Sequence, residues 1–340
     1  MRPRTSWEDG REPSPSQISV SGRRERCRDT GCVADCGGKA FPTRQITLIA
    51  PWPAGGAIDA LCRGVAPRLA ELLGKPVVVE NRPGAGSVIG TAAGAKAEPD
   101  GHTLVMAGSG SIAISATLYK KLPYDPAKDL TPLLLSAKAP FFLVVHPSLP
   151  VHSVAELVRY GKDNPGKLSF ASGGAGSPHQ LFAEYFKSLT GIEMTHVPYK
   201  GNAPAMNDVV AGHVPLMFSD PVASLPLVMA GKVRVLGVTT AVRSPSAPDV
   251  APIAESGAPG FDLAGWGLIA APAGTPKSVV TRLTTELNKI AALPDVQQQI
   301  IRLGMIPGGA ASPDGLQRFI TTEMERWGKI VQQAGLAGSE

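Results

Sequence analysis

The sequence predicts an α/β protein of two lobes, the second inserted within the first. Three observations carry this. Short apolar runs alternate with helical segments under brief Gly/Pro punctuation, the pattern of a mostly parallel sheet flanked by helices. Two long apolar segments, TPLLLSAKAPFFLVVHP and VRVLGVTT, bracket a middle block that has its own βα rhythm. Four loops that follow strands are rich in glycine, serine and proline, and loops of this kind gather round the cleft of open sheets.

The elements follow in order. QITLIA reads as a buried strand, and 57–73 as a helix stopped by Gly74, whose lack of a Cβ suits the left-handed turn after a helix. KPVVVEN is the second strand. The small-residue stretch 89–97 is a helix able to pack closely on a sheet, and HTLVMAG is the third strand. The rhythm breaks at YKKLPYDPAKDL, and the chain crosses to the second lobe near 140. There 153–164 is a helix with Ser153 as cap and Glu156 three residues on, a capping-box spacing. KLSFAS, EMTHVPY and VPLMFSD are strands alternating with helices over 178–189, over 203–211 and up to Gly231. The chain returns near 235, and WGLIAAP precedes two amphipathic helices at 277–292 and 313–334. The expected organisation is therefore 41–139 with 236–340 as lobe one and 140–235 as lobe two.

Composition narrows the function. Apolar residues make up 43% of the 340 and charged ones 18%, a globular balance. The formal charge of +5 divides into +2 over residues 1–40 and +3 over the rest. With only 5% aromatic residues and no basic run, nucleic-acid binding is not expected. Cys27, Cys32 and Cys36 lie in the first 40 residues without a fourth ligand close by, so no metal site is expected. Cys62 reads as a small apolar helix residue. Residues 1–40 are rich in Arg, Ser, Gly and Pro and hold no apolar run of signal-peptide length; they read as a disordered extension outside the fold. No 18-residue apolar span suggests a membrane helix.

The four loops are PWPAGGAID (51–59), AGSGS (107–111), SGGAGSPH (172–179) and PYKGNAP (198–204). Glycines let a ligand approach the backbone amides, and a helix start adds unpaired N–H donors at the positive end of its dipole. Loops of this kind facing each other would hold an anion without arginine, although a Gly-Gly before a helix is also an ordinary tight turn. Asp59 has two readings, a first-turn acid complementing the helix dipole or a ligand contact. His179 is a ligand donor or a surface histidine. Trp52 and Tyr199 are packing residues or walls of a cleft. No G-x-S-x-G, HExxH or GxxxxGK[ST] motif is present, and GAGSVIG departs from a dinucleotide fingerprint in its last spacing.

The segments ITLIAPWPAGGAIDALCRGVAPRL, KPVVVENRPGAGSVIG, PDGHTLVMA, LYKKLPYDPAKDL, SGGAGSPHQLFAEYFKSLTG and HVPYKGNAPAMNDVVAGHV resemble the Bug (TctC) family, from about Phe41 to Leu336. These are extracytoplasmic solute-binding proteins of the tripartite tricarboxylate transporter type. The resemblance implies a two-lobed type II periplasmic-binding-protein fold, each lobe a mostly parallel sheet flanked by helices, with two crossing strands as hinge. It implies a non-enzymatic, monomeric receptor without cofactor. Its ligand would be a small carboxylate: a di- or tricarboxylate, an acidic amino acid or an aromatic acid. Its partner would be the permease subunits or a sensor. It sets Trp52, Gly55, Gly56 and Asp59 against Ser172, Gly174, Ser177 and His179, with Ser109, Tyr199 and Asp220 as further cleft residues. Trp52, Ala54 and SIAISATLY depart from the family pattern, which bears on the distal part of the ligand. A periplasmic location is implied, with a mis-assigned start expected to account for the missing leader. The competing expectation is a cytoplasmic enzyme or ligand-sensing regulator that reuses the fold.

Overall fold

The computed structural model describes residues 41–174 and 176–340. Residues 1–40, with the expectations for Cys27, Cys32, Cys36 and a disordered extension, lie outside the described residues. The chain begins with β1 (Ile46–Ala50), α1 (Ala57–Leu73), β2 (Val77–Asn81), α2 (Val88–Ala95), β3 (Thr103–Gly108) and α3 (Ser115–Leu118). The next elements are β4 (Leu130–Ala139), β5 (Phe142–Val145), α4 (Val154–Asp163), β6 (Ser169–Ser172), α5 (Pro178–Thr190) and β7 (Thr195–Pro198). Then come α6 (Asn202–Val210), β8 (Leu216–Ser219), α7 (Pro221–Met229), β9 (Arg234–Val238) and α8 (Ile253–Ser256). The chain ends with β10 (Gly265–Pro272), α9 (Lys277–Ala291), α10 (Pro294–Arg302), β11 (Ile306–Pro307) and α11 (Pro313–Gln333).

Among the described residues these strands form two sheets, ordered β11-β4-β10-β3-β1-β2 and β7-β6-β8-β5-β9. Each has a parallel heart, β3-β1-β2 in the first and β7-β6-β8 in the second. Both sheets are mixed. In the first, β10 runs against β3 and β4; in the second, β5 runs against β8 and β9. β5 and β10 each directly follow a crossing between the sheets, and the short β11 also runs against β4 at the edge of the first sheet.

Local signals act as their chemistry requires. Gly74 takes φ 69° and donates its N–H to Ala70 O, closing α1. Ser153 Oγ accepts from Glu156 N, and the Glu156 carboxylate accepts from His152 N. On β1, Ile46, Leu48 and Ala50 pack with Leu61, Val65 and Leu69 of α1, while Ile49 enters the core on the other face. That alternation is the period-two pattern of a strand buried on both sides.

The crossings fix the relation of the sheets. Between β4 and β5 the chain passes through Pro140 and Phe141. Phe141 N donates to Thr239 Oγ1 (2.8 Å), and Thr239 N donates to Phe141 O (2.9 Å). The outgoing and returning segments are thus hydrogen-bonded side by side. The return differs from the sequence expectation of 235–236. β9 pairs with β5 and belongs to the second sheet, so the return falls between Val238 and Gly265. VRVLGVTT is as apolar as a crossing strand because it is buried in the second sheet. α10 was not anticipated; its sequence PDVQQQIIR presents few apolar positions, of which Val296 and Ile300 are buried.

Candidate functional site

The cleft between the two sheets is a cavity of about 530 Å³, within the usual size of a small-molecule site. Its walls are the ends of strands and the loops beyond them.

The first wall follows β1. Pro51, Trp52 and Pro53 line the cleft. The Trp52 ring lies over Gly108, where an added Cβ would stand 3.2 Å from the ring and 2.7 Å from Trp266 O. Glycine at 108 is therefore what lets an indole and a neighbouring strand close on the same point. Asn81 Nδ2 holds this loop from behind, donating to Trp52 O (3.1 Å) and to Asp59 Oδ1 (2.8 Å).

The second wall, 83–87, is not among the four loops that the sequence offers as a site. Gly84, Ala85, Gly86 and Ser87 have φ of 133°, 45°, 57° and 79°, four successive residues on the side of the backbone map that L-residues avoid. Two of the four carry a Cβ, so strain is concentrated where the chain meets the cleft. The glycines of GAGSVIG, whose spacing departs from a dinucleotide fingerprint, form this turn.

The third wall follows β3. Ser109 and Gly110 line the cleft, and 110–114 form a wide π-helical turn that runs into α3. Thr91 Oγ1 donates to Ser111 Oγ (2.9 Å), and Tyr124 OH bonds Ser111 O, bracing this turn from inside. Ser115, Leu118 and Tyr119 continue the wall; Ser115 Oγ is buried with no partner among the described residues. Trp266 of β10 and Glu340 complete the first lobe's side.

The second lobe contributes Gly173, Gly176, Ser177 and Pro178. Ser177 caps α5 and donates from Oγ to Gly174 O (2.7 Å). Gln180 Oε1 accepts from Gly176 N (2.8 Å). No Lys, Arg or His lines the cavity among the described residues, and Glu340 is the one acidic residue that does.

Of the expected site residues, Trp52, Ser109 and Ser177 meet on the cavity. The others sit off its wall for identifiable reasons. Gly55 and Gly56 are exposed, and Gly55 N already donates to Asp59 Oδ2 (2.9 Å). Asp59 is 3% exposed and turned inward, its carboxylate also taking Arg63 Nε (2.9 Å). The Arg63 guanidinium, against the opposing effect of burial, holds this carboxyl at a pKa of about 2. Neither reading of Asp59 is complete: it is a first-turn acid whose work is to tie its own loop.

Ser172 is fully buried under the loop, bonded to His196 Nε2 (2.6 Å) and to both the N–H and the C=O of Gly174. Gly174 is thereby held as loop backbone, at φ 131°. Tyr199 OH donates to Asp208 Oδ2 (2.6 Å), away from the cavity. Asp220 caps α7 by accepting Ala223 N (3.0 Å) and also accepts from Asn202 Nδ2.

The His179 ring lies edge-on to Phe141 at 5.1 Å, both nitrogens buried and unpartnered among the described residues. Burial pushes its pKa down while Asp220 pulls the other way. It is half-buried beside the crossing, with its ring nitrogens turned inward.

Cys62 is buried in α1 and its thiol is pushed up to about 12 by desolvation. Among the described residues no three His, Cys, Asp or Glu cluster as metal ligands, and no helix is long and apolar enough to cross a membrane.

A two-lobed α/β body with its cavity between the lobes is the architecture of a solute receptor. The chain belongs to the tripartite tricarboxylate transporter family receptor (TctC) group, whose family model matches residues 61–336. It is 39% identical over 302 residues to the UPF0065 protein in the tcbD-tcbE intergenic region of Pseudomonas sp. (strain P51), covering 88% of this chain and 89% of that protein. It is 35% identical to Protein BugT of Bordetella pertussis, covering 90% and 94%. Among solved structures, R. palustris Rpa4515 with adipate superposes with a TM-score of 0.79 at 40% identity, covering 87% of this chain and 99% of that one. MatC (Rpa3494) from Rhodopseudomonas palustris with bound malate gives 0.74 at 32% identity, covering 86% and 100%.

Proposed function

We propose that the protein is an extracytoplasmic receptor that closes two lobes on a small carboxylate, a dicarboxylate first of all, and hands it to a tripartite tricarboxylate-type permease. The observation that carries this is the composition of the cavity wall. Glycine- and serine-rich loops from both lobes surround 530 Å³, with no cationic side chain and one acidic residue, Glu340, among the described lining residues, so an anion there would be met by the amides and hydroxyls of the loops, away from Glu340. The similarity to proteins solved with adipate and with malate supports a ligand of that class. In this reading the first sheet with α9, α10 and α11 is one jaw and the second sheet the other. The bonded pair Phe141 and Thr239 is the hinge about which they turn.

A thermal-shift panel of carboxylic acids tests it. An acid at about 100 times its Kd adds about 2.7 kcal/mol, which for a body of this size is about 4 °C in Tm. Adipate and malate head the panel, followed by tricarboxylates, acidic amino acids and aromatic acids. If no acid raises Tm, the carboxylate assignment fails. Export is tested separately by fractionating the source cell, and recovery with cytoplasmic markers would overturn it.

A further inference from the structure

We propose that Glu323 on α11 is a positioning residue that couples the ligand cleft to the second lobe. Trp266 lines the cleft, and its indole Nε1 donates to Glu323 Oε2 at 2.7 Å. The same oxygen accepts from Trp327 Nε1 at 3.1 Å. Both indoles and the carboxylate are buried. A carboxylate removed from water is costly unless its lone pairs are engaged, and here two indole donors and the nearby Arg326 guanidinium (3.7 Å to Oε1) engage them. The arrangement is rigid because turning either indole would leave its own buried N–H without this acceptor.

What makes this more than a buried ion pair is where its three arms end. Trp266 ends at the cavity. Trp327 stands edge-on to Phe182 of α5 in the second lobe, with ring centroids 5.6 Å apart. Arg326 donates to the backbone O of Asp262, whose carboxylate accepts from Ala241 N (2.9 Å). Residues 241 and 262 both lie on the returning crossing between β9 and β10. One carboxylate therefore joins a cleft wall, the facing lobe and the hinge segment. A ligand pressing on the Trp266 face shifts the acceptor that Trp327 shares. Movement of the second lobe against Trp327 likewise shifts the cleft wall. The ligand half of this inference rests on the receptor reading above; the mechanical half does not.

The test reads the indole N–H resonances of the full chain. Its four tryptophans, Trp7, Trp52, Trp266 and Trp327, are assigned by single Trp→Phe changes. Without ligand, Phe182→Leu in the second lobe is expected to shift the Trp266 resonance as well as that of Trp327. In Glu323→Gln, which keeps an acceptor oxygen, the shift at Trp266 should fall by at least half while that at Trp327 persists. No Trp266 shift in the parent, or an equal one in Glu323→Gln, overturns the proposal whether or not any acid binds. With adipate, the Trp327 resonance should move although Trp327 does not line the cavity. The Kd of Glu323→Gln should rise about fivefold or more, the low end of usual site-to-site couplings. Adipate binding that leaves Trp327 unmoved would also overturn it. If no acid binds, the receptor reading alone fails and the Phe182 arm decides this one.

Discussion

Replacing Asp59 by asparagine separates the loop-tying role from ligand contact. The native carboxyl is held at about 2 by Arg63, with help from Gly55 N and Asn81, against an ordinary carboxylate near 4. Taken whole, that depression is equivalent to about 2.5 kcal/mol. Arg63 is itself half-exposed and its attraction is screened by water, so about 1–2 kcal/mol is the expected contribution. In a body of 300 residues this is about 2–3 °C in Tm. The sign follows from the depressed folded pKa: the stabilisation is present above the unfolded value near 4 and is lost as pH falls toward 2. About half should be gone by pH 3. The assay is urea unfolding of the parent and Asp59→Asn at pH 7, 5 and 3, with acid binding measured at pH 7. The difference seen at pH 7 and 5 should be about halved at pH 3, with acid affinity reduced only modestly. An undiminished difference at pH 3 would refute the electrostatic reasoning. A native-like Tm with binding abolished would show instead that the carboxylate touches the ligand.

Ala85→Gly and Ser87→Gly relieve left-handed strain of about 1–2 kcal/mol per residue but loosen the unfolded chain by about half as much. Each is expected to raise stability slightly, whereas Ala85→Val should lower it by 2 kcal/mol or more in urea unfolding. His179→Met removes a ring whose two buried nitrogens have no partner among the described residues, so stability at pH 7 should change little. The lowered folded pKa of His179 means that the parent loses stability as pH falls below about 6.5, a slope between pH 7 and 5 that the Met variant should show less steeply. Gly176 faces Leu118 across the cleft, where an added Cβ would stand 2.3 Å from Leu118 Cδ2. Gly176→Ala should therefore prop the jaws and weaken adipate about tenfold, roughly 1.4 kcal/mol, and Leu118→Ala should restore part of the loss if that contact is the cause.

The architecture was legible because it rests on periodicity and punctuation. The bounds of α1 follow directly from Gly56 and Gly74, and those of α5 nearly so from Ser177, Pro178 and Gly191. Strand direction was not legible. β5 and β10 are apolar runs like their neighbours, and only the crossings decide that they run against them. The site was half legible. A loop's glycines and serines announce backbone freedom, but which side chains are already committed depends on partners far along the chain. Asp59 is claimed by Asn81, Ser172 by His196, and Asp220 by Asn202. The converse failure is 83–87, where the left-handed run includes alanine and serine, residues that do not announce it. The glycines flanking them were the available signal.

These commitments explain how a cleft without cationic side chains can be selective. A lysine or arginine would attract many anions through a screened point charge, with little regard for what the charge is attached to. Here polar side chains are bonded to their own loops: Asp59 to Gly55, Ser172 to Gly174 and Gln180 to Gly176 behind the walls, and Ser177, on the wall itself, to Gly174. They fix the direction of the backbone instead of presenting charge to the ligand. Preorganised dipoles of that kind lose little entropy on binding and reward an anion only where its oxygens fall in register. The apolar faces of Trp52, Trp266 and Leu118 then leave shape to decide among acids that carry the same carboxylate. If the cleft takes an anion as proposed, loop geometry would hold it, and the indoles, one of them anchored through Glu323, would determine what else fits beside it.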